Sequence, residues 1–190
     1  MGNICNDLAN WETVGASEVD GHRVRTAIYS SKSAACAVAF GLLSALSAQA
    51  AEFTGKVIRI SDGDTLTVLV DRNQIKVRLM DIDAPESKQA FGSRSKQSLS
   101  ELCFGKIATL QSSGSDRYKR TLAQVTCNGT DANTEQVRRG MAWVYERYAP
   151  TGSPLYGIQA ESKLGKRGLW VDTSPVPPWE WRRAQATTSR

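Results

Sequence analysis

Three short stretches of strand character follow one another in the middle of the chain, and they constrain the fold more than any other feature. Residues 53–60 end in apolar positions, Asp62-Gly63 signals a tight turn, and residues 65–70 are rich in β-branched side chains. A second turn at residues 71–73 precedes residues 75–80, where apolar and charged side chains alternate. Three strands joined by short turns predict an antiparallel meander.

A helix and a hairpin follow the meander. Apolar residues recur at helical spacing within residues 93–103, and Gly105 supplies a stop signal. Residues 107–110 and 121–126 then predict two strands around a polar loop at residues 112–119. The helix therefore interrupts a series of five strands.

Two further helices are expected behind these strands. Asn133 is expected to cap the first, and Gly140 to end it. Ser153 and Pro154 have the character of a helix start, with a capping hydroxyl followed by proline. The predicted buried stripe of this last helix consists of Leu155, Ile158 and Leu164.

The C-terminal segment differs in composition from the rest of the chain. From Thr173 it holds three of the six prolines together with Trp179 and Trp181. We expect it to dock as extended chain, and we expect residues 184–190 to be disordered.

This order of elements predicts an α+β domain built on a five-stranded β-barrel of the OB type with about three helices. Five short strands broken by a helix after the third are typical of that Greek-key barrel. On the pattern alone, a generic α+β sheet domain remains the alternative.

The N-terminal region contains a further signal. Residues 34–48 are all apolar or small, which is too short a run to cross a bilayer. Basic residues precede the run and Ala-Gln-Ala ends it at Ala50, as in a secretory signal peptide. A buried core helix or an uncleaved anchor is the alternative.

The stretch before the apolar run is longer and more acidic than a signal peptide requires. We therefore expect translation to begin near Val24, which makes residues 24–50 the signal and residues 1–23 a polar extension that is not translated. The exported domain is expected to span residues 51–183. It would be periplasmic or secreted, monomeric, and without stable membrane insertion after cleavage.

The charge of the chain is a weaker hint about its partner. The net charge is +5, and residues 51–190 carry 21 Lys and Arg against 15 Asp and Glu. A basic surface favours a polyanion such as nucleic acid, although solubility explains this charge equally well. A charged fraction of 23% argues against a membrane-embedded protein.

Two cysteines, Cys103 and Cys127, remain after the expected cleavage. Folding the predicted hairpin about residue 115 sets them nearly opposite each other, which predicts a disulfide in an oxidising compartment. Free buried thiols are the alternative. The single histidine, His22, lies outside the expected domain, which disfavours a zinc site.

Several acidic residues lie at the ends of predicted strands. Asp62 and Asp64 flank the first turn, and Asp83 and Glu86 follow the third strand. A meander brings the start of strand two beside the end of strand three, so Asp64 and Asp83 are expected to meet. Two carboxylates with carbonyl and water oxygens predict a site for Ca²⁺ or Mg²⁺. Each acid alone is more simply explained as part of a turn or as solvated.

The same region supplies groups suited to phosphodiester hydrolysis. The guanidinium groups of Arg78 and Arg120 match the edge of a phosphate, whose transition state gathers negative charge. A carboxylate such as that of Glu86 is suited to deprotonate the attacking water. A metal-dependent phosphodiesterase is the function that these groups together predict.

Four motifs occur in an order that resembles the staphylococcal nuclease family. They are V-I-R-I-S-D-G-D-T at residues 57–65, V-R-L at 77–79, D-I-D-A-P-E at 81–86 and D-R-Y-K-R at 116–120. The resemblance covers roughly residues 53–171. It implies an OB-type barrel and a Ca²⁺-dependent endonuclease that cleaves DNA and RNA, leaving 5′-hydroxyl and 3′-phosphate ends.

The resemblance also implies roles for individual residues. Asp64 and Asp83 correspond to the metal carboxylates, and Ala84 to a residue whose backbone carbonyl binds calcium. Three residues correspond to catalytic positions: the general base Glu86 and the phosphate-binding arginines Arg78 and Arg120. Three others correspond to substrate-binding positions: Arg117, Tyr118 and the base-stacking Tyr145.

One residue departs from the family pattern. Lys119 replaces a glycine before Arg120, and strain there would misplace Arg120 if the position requires positive φ.

Two alternative functions are open. A non-catalytic nucleic-acid-binding OB-fold module is the first, and an exported structural or adhesion module is the second. Retention of all the acidic and basic side chains named above favours the nuclease.

Overall fold

The computed structural model describes residues 51–188. The predicted signal peptide and polar extension, residues 1–50, lie outside the described residues. No helix within the described range is long and apolar enough to cross a bilayer.

The first half of the domain is the predicted meander. Strands β1 (Ala51–Ile60), β2 (Thr65–Val70) and β3 (Asn73–Leu79) pair antiparallel in sequence order. A two-residue strand, β4 (Ile82–Asp83), and helix α1 (Gly92–Cys103) follow. Strand β2 has the predicted bounds, whereas β1 begins two residues earlier than predicted and β3 spans Asn73–Leu79 where residues 75–80 were expected. Local turn signals and β-branched residues therefore located each of these three strands to within two residues.

A hairpin closes the sheet into a barrel. Strands β5 (Ile107–Ser115) and β6 (Thr121–Cys127) pair with each other, β5 also pairs with β1, and β6 runs parallel to the end of β3. The pairing β3–β6 joins the two edges of the sheet and so removes the open edge. The closed five-stranded barrel confirms the predicted OB-type α+β fold.

Further elements follow the hairpin. They are β7 (Thr130–Asp131), α2 (Ala132–Arg138), β8 (Trp143–Val144), α3 (Leu155–Leu164), a 3₁₀ helix (Gly168–Val171) and α4 (Pro178–Thr188). Strand β8 pairs with β4, which lies just beyond the end of β3. This second, two-stranded sheet fixes the chain that leaves the barrel after β3.

The barrel interior and the surrounding helices form one apolar core. Its fully buried side chains come from every long strand and from α1 and α2, and they include Val57, Leu66, Val68, Val77, Leu79, Leu99, Leu110, Val125 and Val137. Each such side chain contributes about 1.5–3 kcal/mol through removal from water. The core therefore gives the loops at the barrel end a rigid base.

The two cysteines form the predicted disulfide. Cys103 at the end of α1 is bonded to Cys127 at the end of β6, with a Cα–Cα distance of 5.2 Å. Both are buried. The bridge ties the helix that follows the meander to the last long strand of the barrel.

Removing this bridge is expected to destabilise the domain substantially. Cys103 and Cys127 are 24 residues apart, and a cross-link of that span restricts the unfolded chain by about 3 kcal/mol. We expect the Cys103→Ala/Cys127→Ala variant to lose about that much free energy of unfolding in denaturant titrations. Reductant should have the same effect on the parent chain and none on the variant; equal stability of oxidised and reduced parent would contradict the prediction.

The structure corrects the predicted cap of α2. Asp131, not Asn133, is the N-cap, since its carboxylate accepts from the Thr134 N–H at 3.0 Å. Asn133 is fully buried instead, and its side chain accepts from the Val125 N–H and donates to the Met80 carbonyl, both at 3.0 Å. The prediction was wrong because asparagine is also a favoured N-cap residue, and the sequence does not show that this one is buried between β6 and the end of β3.

The predicted buried stripe of α3 was partly wrong. Leu155 is buried and Ile158 partly so, but Leu164 is 87% exposed. Gln159 and Ser162 are buried in its place, because Gln159 accepts from the Val144 N–H and Ser162 donates to α2 carbonyls. These polar side chains satisfy backbone groups that would otherwise be unpaired.

The C-terminal segment also differs from expectation. Residues 178–188 form helix α4, whereas we expected extended chain followed by disorder from residue 184; residues 189 and 190 lie outside the described range. Pro178 stands at the first helical position, where its missing N–H costs nothing. The prolines thus mark the approach to a helix and not a wholly extended tail.

Candidate active site

The pairing of β2 with β3 determines where Asp64 lies. Thr65 is opposite Arg78 in the ladder, and the Asp64 carbonyl accepts from the Leu79 N–H at 2.8 Å. The carboxylate of Asp64 is therefore held beside the end of β3. It is buried, with 5% of the residue exposed.

Arg78 joins the two predicted metal carboxylates. Its Nε lies 3.2 Å from Asp64 Oδ1, and its Nη2 donates to Asp83 Oδ1 at 2.9 Å. Its Nη1 donates to the Leu79 carbonyl at 2.6 Å. The two acids thus share one guanidinium, as expected from a meander that brings their strand ends together.

Backbone contacts hold the second acid and its neighbour in place. Asp83 lies in β4 opposite Trp143 of β8 and is 2% exposed. The Ala84 N–H donates to Asp64 Oδ2 at 2.6 Å. The backbone of Ala84 therefore lies against the Asp64 carboxylate, next to both acids.

The turn before Asp64 is fixed by close packing. A side chain on Gly63 would meet Ser95 Oγ at 1.8 Å and the Ala84 Cβ at 2.8 Å, so α1 can approach the turn only where glycine stands. Gln136 of α2 is fully buried and donates to the Gly63 carbonyl at 2.6 Å. Gly63 is therefore required for space, since its φ is not positive.

Burial and mutual repulsion raise the pKa values of two acids at this site. For Asp62, burial and the nearby Asp64 charge raise the pKa to about 7. Burial is also the main cause that raises the pKa of Asp83, with the Asp64 charge adding to it and Arg182 and Arg78 opposing it. The cluster holds more negative charge than its surroundings readily stabilise, which favours binding of a cation.

The raised pKa of Asp62 predicts a pH dependence of stability. The folded-state pKa of about 7 lies above the ordinary value of 3.8, so this group's contribution to stability is lost as pH rises from the lower value through the higher one. Asp62→Asn keeps an oxygen for the Asp64 N–H and removes the charge. In metal-free protein we expect it to raise the free energy of unfolding at pH 8 by about 1 kcal/mol or more, since one pKa unit corresponds to ~1.4 kcal/mol.

The measurement is denaturant titration in chelator between pH 5 and pH 8. Asp62→Asn should flatten the decline in stability, and its gain over the parent should be smaller at pH 5 than at pH 8. Asp71→Asn, at an exposed turn, is the control and should keep the parental slope. An Asp62→Asn slope equal to that of the control would contradict the assignment.

The second predicted arginine is oriented by an acid of its own hairpin. Arg120 Nε and Nη2 lie 2.8 and 2.7 Å from Asp116 Oδ2, and the Arg120 N–H donates to Asp116 Oδ1 at 3.0 Å. Desolvation would raise the pKa of Asp116, but the hydrogen bonds and charge of Arg120 outweigh it and lower the pKa. Arg120 Nη1 reaches Thr65 Oγ1 at 3.5 Å, beside Asp64.

Lys119 does occupy a left-handed backbone position, with φ of 59°. Arg120 nevertheless keeps its place because Asp116 binds it through backbone and side chain.

Lys119→Gly should relieve the strain and raise the free energy of unfolding by up to about 1 kcal/mol, with glycine's freedom in the unfolded chain offsetting part of the gain. Thermal denaturation would measure it; Lys119→Ala keeps the strain and should not stabilise, and equal gains in both would contradict the explanation.

The predicted substrate-binding residues, Arg117, Tyr118 and Tyr145, line the same cleft as Arg78 and Arg120. The Tyr118 ring is 64% exposed, with the guanidinium groups of Arg117 and Arg120 at 4.8 and 5.5 Å from its centre. Tyr145 follows β8, where its N–H donates to the Asp81 carbonyl at 2.8 Å. Aromatic rings beside arginines suit nucleotides, because bases stack on such rings and phosphates bind guanidinium groups.

Two residues at the site were missed by sequence reasoning. Arg182 of α4 lies with Nη2 2.7 Å from Asp83 Oδ2 and Nη1 2.7 Å from Glu86 Oε1. Trp179 of the same helix stacks on Tyr145, with ring centres 5.3 Å apart and planes at 10°. Tryptophans next to arginines in the proline-rich segment were the available signal, but nothing local indicated which surface they contact.

One cleft of about 740 Å³ collects every predicted site residue. Its walls include Asp62, Asp64, Arg78, Asp83, Ala84, Glu86, Arg117, Tyr118, Arg120, Tyr145 and Arg182. Carboxylates and arginines alternate along these walls in direct ion pairs, so the cleft offers groups for a cation and for a phosphate close together. The arrangement agrees with the motif order seen in the sequence.

Comparison with known proteins decides the family. The model of the family described as staphylococcal nuclease homologue matches residues 76–172, about half of the chain. The chain belongs to the staphylococcal nuclease family. The matched range includes Arg78, Asp83, Glu86 and Arg120, all of which line the cleft described above.

Individual relatives agree with this assignment. A micrococcal nuclease of Shigella flexneri is 45% identical over 144 residues, covering 70% of this chain and 83% of the relative. An uncharacterised endonuclease of Haemophilus influenzae is 46% identical over 149 residues, covering 77% and 81%. A staphylococcal-like nuclease of Arabidopsis thaliana is 32% identical over 110 residues, covering 58% of this chain and 34% of the plant protein.

Proposed function

We propose that this member of the staphylococcal nuclease family is an exported, Ca²⁺-dependent endonuclease that hydrolyses DNA and RNA and leaves 5′-hydroxyl and 3′-phosphate ends. The observation that carries the proposal is the meeting of two buried carboxylates, Asp64 and Asp83, at the guanidinium of Arg78. Glu86 and Arg120 line the same cleft. Each of these side chains matches a need of phosphodiester hydrolysis.

The donor chemistry suits a hard divalent cation. Asp64 and Asp83 would hold it with backbone oxygen from Ala84 and with water, since oxygen ligands are those that Ca²⁺ prefers. Between residues 51 and 188 no cluster of three or more His, Cys, Asp or Glu side chains is arranged to hold a metal, so the ion would rely on water for much of its shell. When bound, the ion supplies positive charge to the phosphate and lowers the pKa of bound water.

The protein's own groups provide the rest of the chemistry. Arg78 has five N–H groups on three nitrogens. Asp64, Leu79 and Asp83 each engage one of these nitrogens, so N–H groups remain for a phosphate oxygen. Arg120 adds a second guanidinium to the charge that develops on phosphorus. Glu86 accepts a proton from the attacking water, the P–O5′ bond breaks, and the leaving oxygen takes a proton from solvent.

Incubation of the purified protein with supercoiled plasmid and with RNA tests the proposal. We expect cleavage of both with Ca²⁺ and none in excess chelator. The products should accept label from a 5′-polynucleotide kinase without phosphatase treatment, because their 5′ ends carry hydroxyl groups. Degradation that persists in chelator would overturn the metal assignment, and tight binding of DNA without cleavage would favour the non-catalytic module.

Export is a separate part of the proposal. It is supported by the apolar run and the Ala-Gln-Ala pattern that ends at Ala50. Expression of the full chain in a bacterium with fractionation should place the protein in the periplasm or the medium. N-terminal sequencing should find Ala51 first, and recovery of the intact chain in the cytoplasm would contradict export.

A further inference from the structure

Helix α4 covers the carboxylates that the proposed reaction needs. Arg182 Nη2 lies 2.7 Å from Asp83 Oδ2, and Arg182 Nη1 lies 2.7 Å from Glu86 Oε1 and 3.4 Å from Asp83 Oδ1. Arg78 already donates to Asp83 Oδ1 at 2.9 Å. Both oxygens of Asp83 are therefore engaged by guanidinium groups, and the proposed general base is engaged by Arg182.

The same helix covers the proposed base-binding surface. Trp179 stacks on Tyr145 almost parallel, with planes at 10° and ring centres 5.3 Å apart. Tyr148 meets Tyr145 edge-on. A nucleobase that stacks on the face of Tyr145 used by Trp179 must first displace that ring.

A polar contact fastens the segment that leads into α4. The Gln89 side chain donates to the Val176 carbonyl at 2.5 Å and accepts from the Glu86 N–H at 3.1 Å. The approach to α4 is thus connected to the loop that carries Glu86. The helix is directed into the cleft and does not merely lie near it.

The attachment of α4 is nonetheless limited. Pro178 is its one buried residue, and the side chains of Arg182 and Glu86 are 43% and 40% exposed. Ion pairs so exposed are weak, because water and salt screen them. A divalent cation and a polyanion can therefore compete with α4 for the cleft.

We propose that α4 is an internal competitor of the active site, in which Arg182 occupies the cation-binding side of Asp83 and Glu86 and Trp179 occupies the base-stacking face of Tyr145. This inference rests on the proposed nuclease function, whose metal carboxylate is Asp83. Docking of α4 and binding of metal and substrate oppose each other, and by linkage each lowers the affinity of the other. The enzyme is then restrained until metal and nucleic acid together release the helix.

Calcium affinity measured without nucleic acid tests the arginine. We expect Arg182→Gln to bind Ca²⁺ about 5-fold or more tightly than the parent in isothermal titration calorimetry, within the usual range of coupling between competing events. Arg183→Gln removes the same charge from the next residue of α4 and should change the affinity by less than about 2-fold. Comparison of the two variants separates a local contact from a general change in net charge.

Oligonucleotide affinity in chelator tests the tryptophan. We expect Trp179→Ala to bind a fluorescent single-stranded oligothymidylate more tightly in anisotropy titrations, because the Tyr145 face is released. Trp181→Ala, two positions along the helix, is the control of equal size and should bind as the parent does. Weaker binding by Trp179→Ala would show that the ring assists substrate binding and would overturn this part of the inference.

The outcomes distinguish this inference from the proposed function. If the parent binds Ca²⁺ and cleaves DNA but Arg182→Gln has unchanged or weaker Ca²⁺ affinity, the competitor role is wrong and the nuclease stands. A fall in kcat with unchanged Ca²⁺ affinity would instead make Arg182 a positioning residue for Glu86. If the parent neither binds Ca²⁺ nor cleaves nucleic acid, the proposed function fails and the inference falls with it.

Discussion

Arg78→Ala is expected to lower the rate of DNA cleavage by at least about 100-fold. Loss of one preorganised donor to developing negative charge costs on the order of 10²–10³ in rate. Arg78 also holds the two acids together, with contacts of 3.2 Å to Asp64 and 2.9 Å to Asp83. The same substitution should therefore affect both catalysis and the folded state.

The effect of Arg78→Ala on stability follows from burial. The side chains of Arg78, Asp64 and Asp83 are 10%, 8% and 3% exposed, so removing the guanidinium leaves buried carboxylates with less compensation. Breaking such a pair costs about 3–5 kcal/mol. We expect a loss near the lower limit in chelator, because Arg182 still contacts Asp83, and a smaller loss with Ca²⁺.

Two comparisons make the Arg78 result specific. Arg72→Ala removes an exposed arginine at the turn between β2 and β3 and should leave both rate and stability nearly unchanged. Arg78→Lys keeps the charge but not the planar fork, so we expect most of the stability and a rate well below that of the parent. Initial cleavage rates and denaturant titrations measure the two effects, and a parental rate in Arg78→Ala would exclude Arg78 from catalysis.

Glu86→Gln is expected to lower the cleavage rate by about 10²–10⁴-fold with little change in stability. The neutral amide cannot accept a proton from water, and general base catalysis is worth about that factor. The side chain is 40% exposed and contributes little to packing. Loss of its ion pair with Arg182 should, if anything, loosen α4, so Ca²⁺ affinity should not fall.

Glu146→Gln is the matched control, since Glu146 is an exposed glutamate next to Tyr145 that does not line the cleft. Rates measured at saturating Ca²⁺ and at several pH values give the most direct result. At each pH, Glu86→Gln should cleave more slowly than both the parent and Glu146→Gln. An unchanged rate in Glu86→Gln would mean that another group accepts the proton.

Local sequence patterns predicted the strands and the meeting of two acids, whereas the choice of a barrel over a generic α+β sheet depended on the resemblance to the family. Residues 65–70 form the predicted strand without change, and the meander brings Asp64 and Asp83 to one guanidinium. Both results depend on short-range rules: β-branched alternation defines a strand, and a tight turn determines which strand ends meet. The disulfide was predicted for the same reason, because a hairpin places residues by counting from its turn.

Polar residues with two possible uses were harder to interpret. Asn133 has the composition of a helix cap, yet it is buried between β6 and the end of β3, while Asp131 caps α2. Gln159 and Ser162 replace the expected Leu164 on the buried side of α3. Whether a polar side chain is buried depends on an unpaired backbone group nearby, which a linear pattern does not show.

The sequence by itself determined the order of the strands, the cysteine pair, and the acids and arginines that its motifs bring together. Each of these follows from periodicity, turn chemistry or motif spacing over a few tens of residues. Only the tertiary structure decided that α4 reaches the cleft, where Arg182 contacts Asp83 across a separation of 99 residues and Trp179 covers Tyr145. Such contacts depend on the shape and charge of a surface that forms only after the barrel has closed.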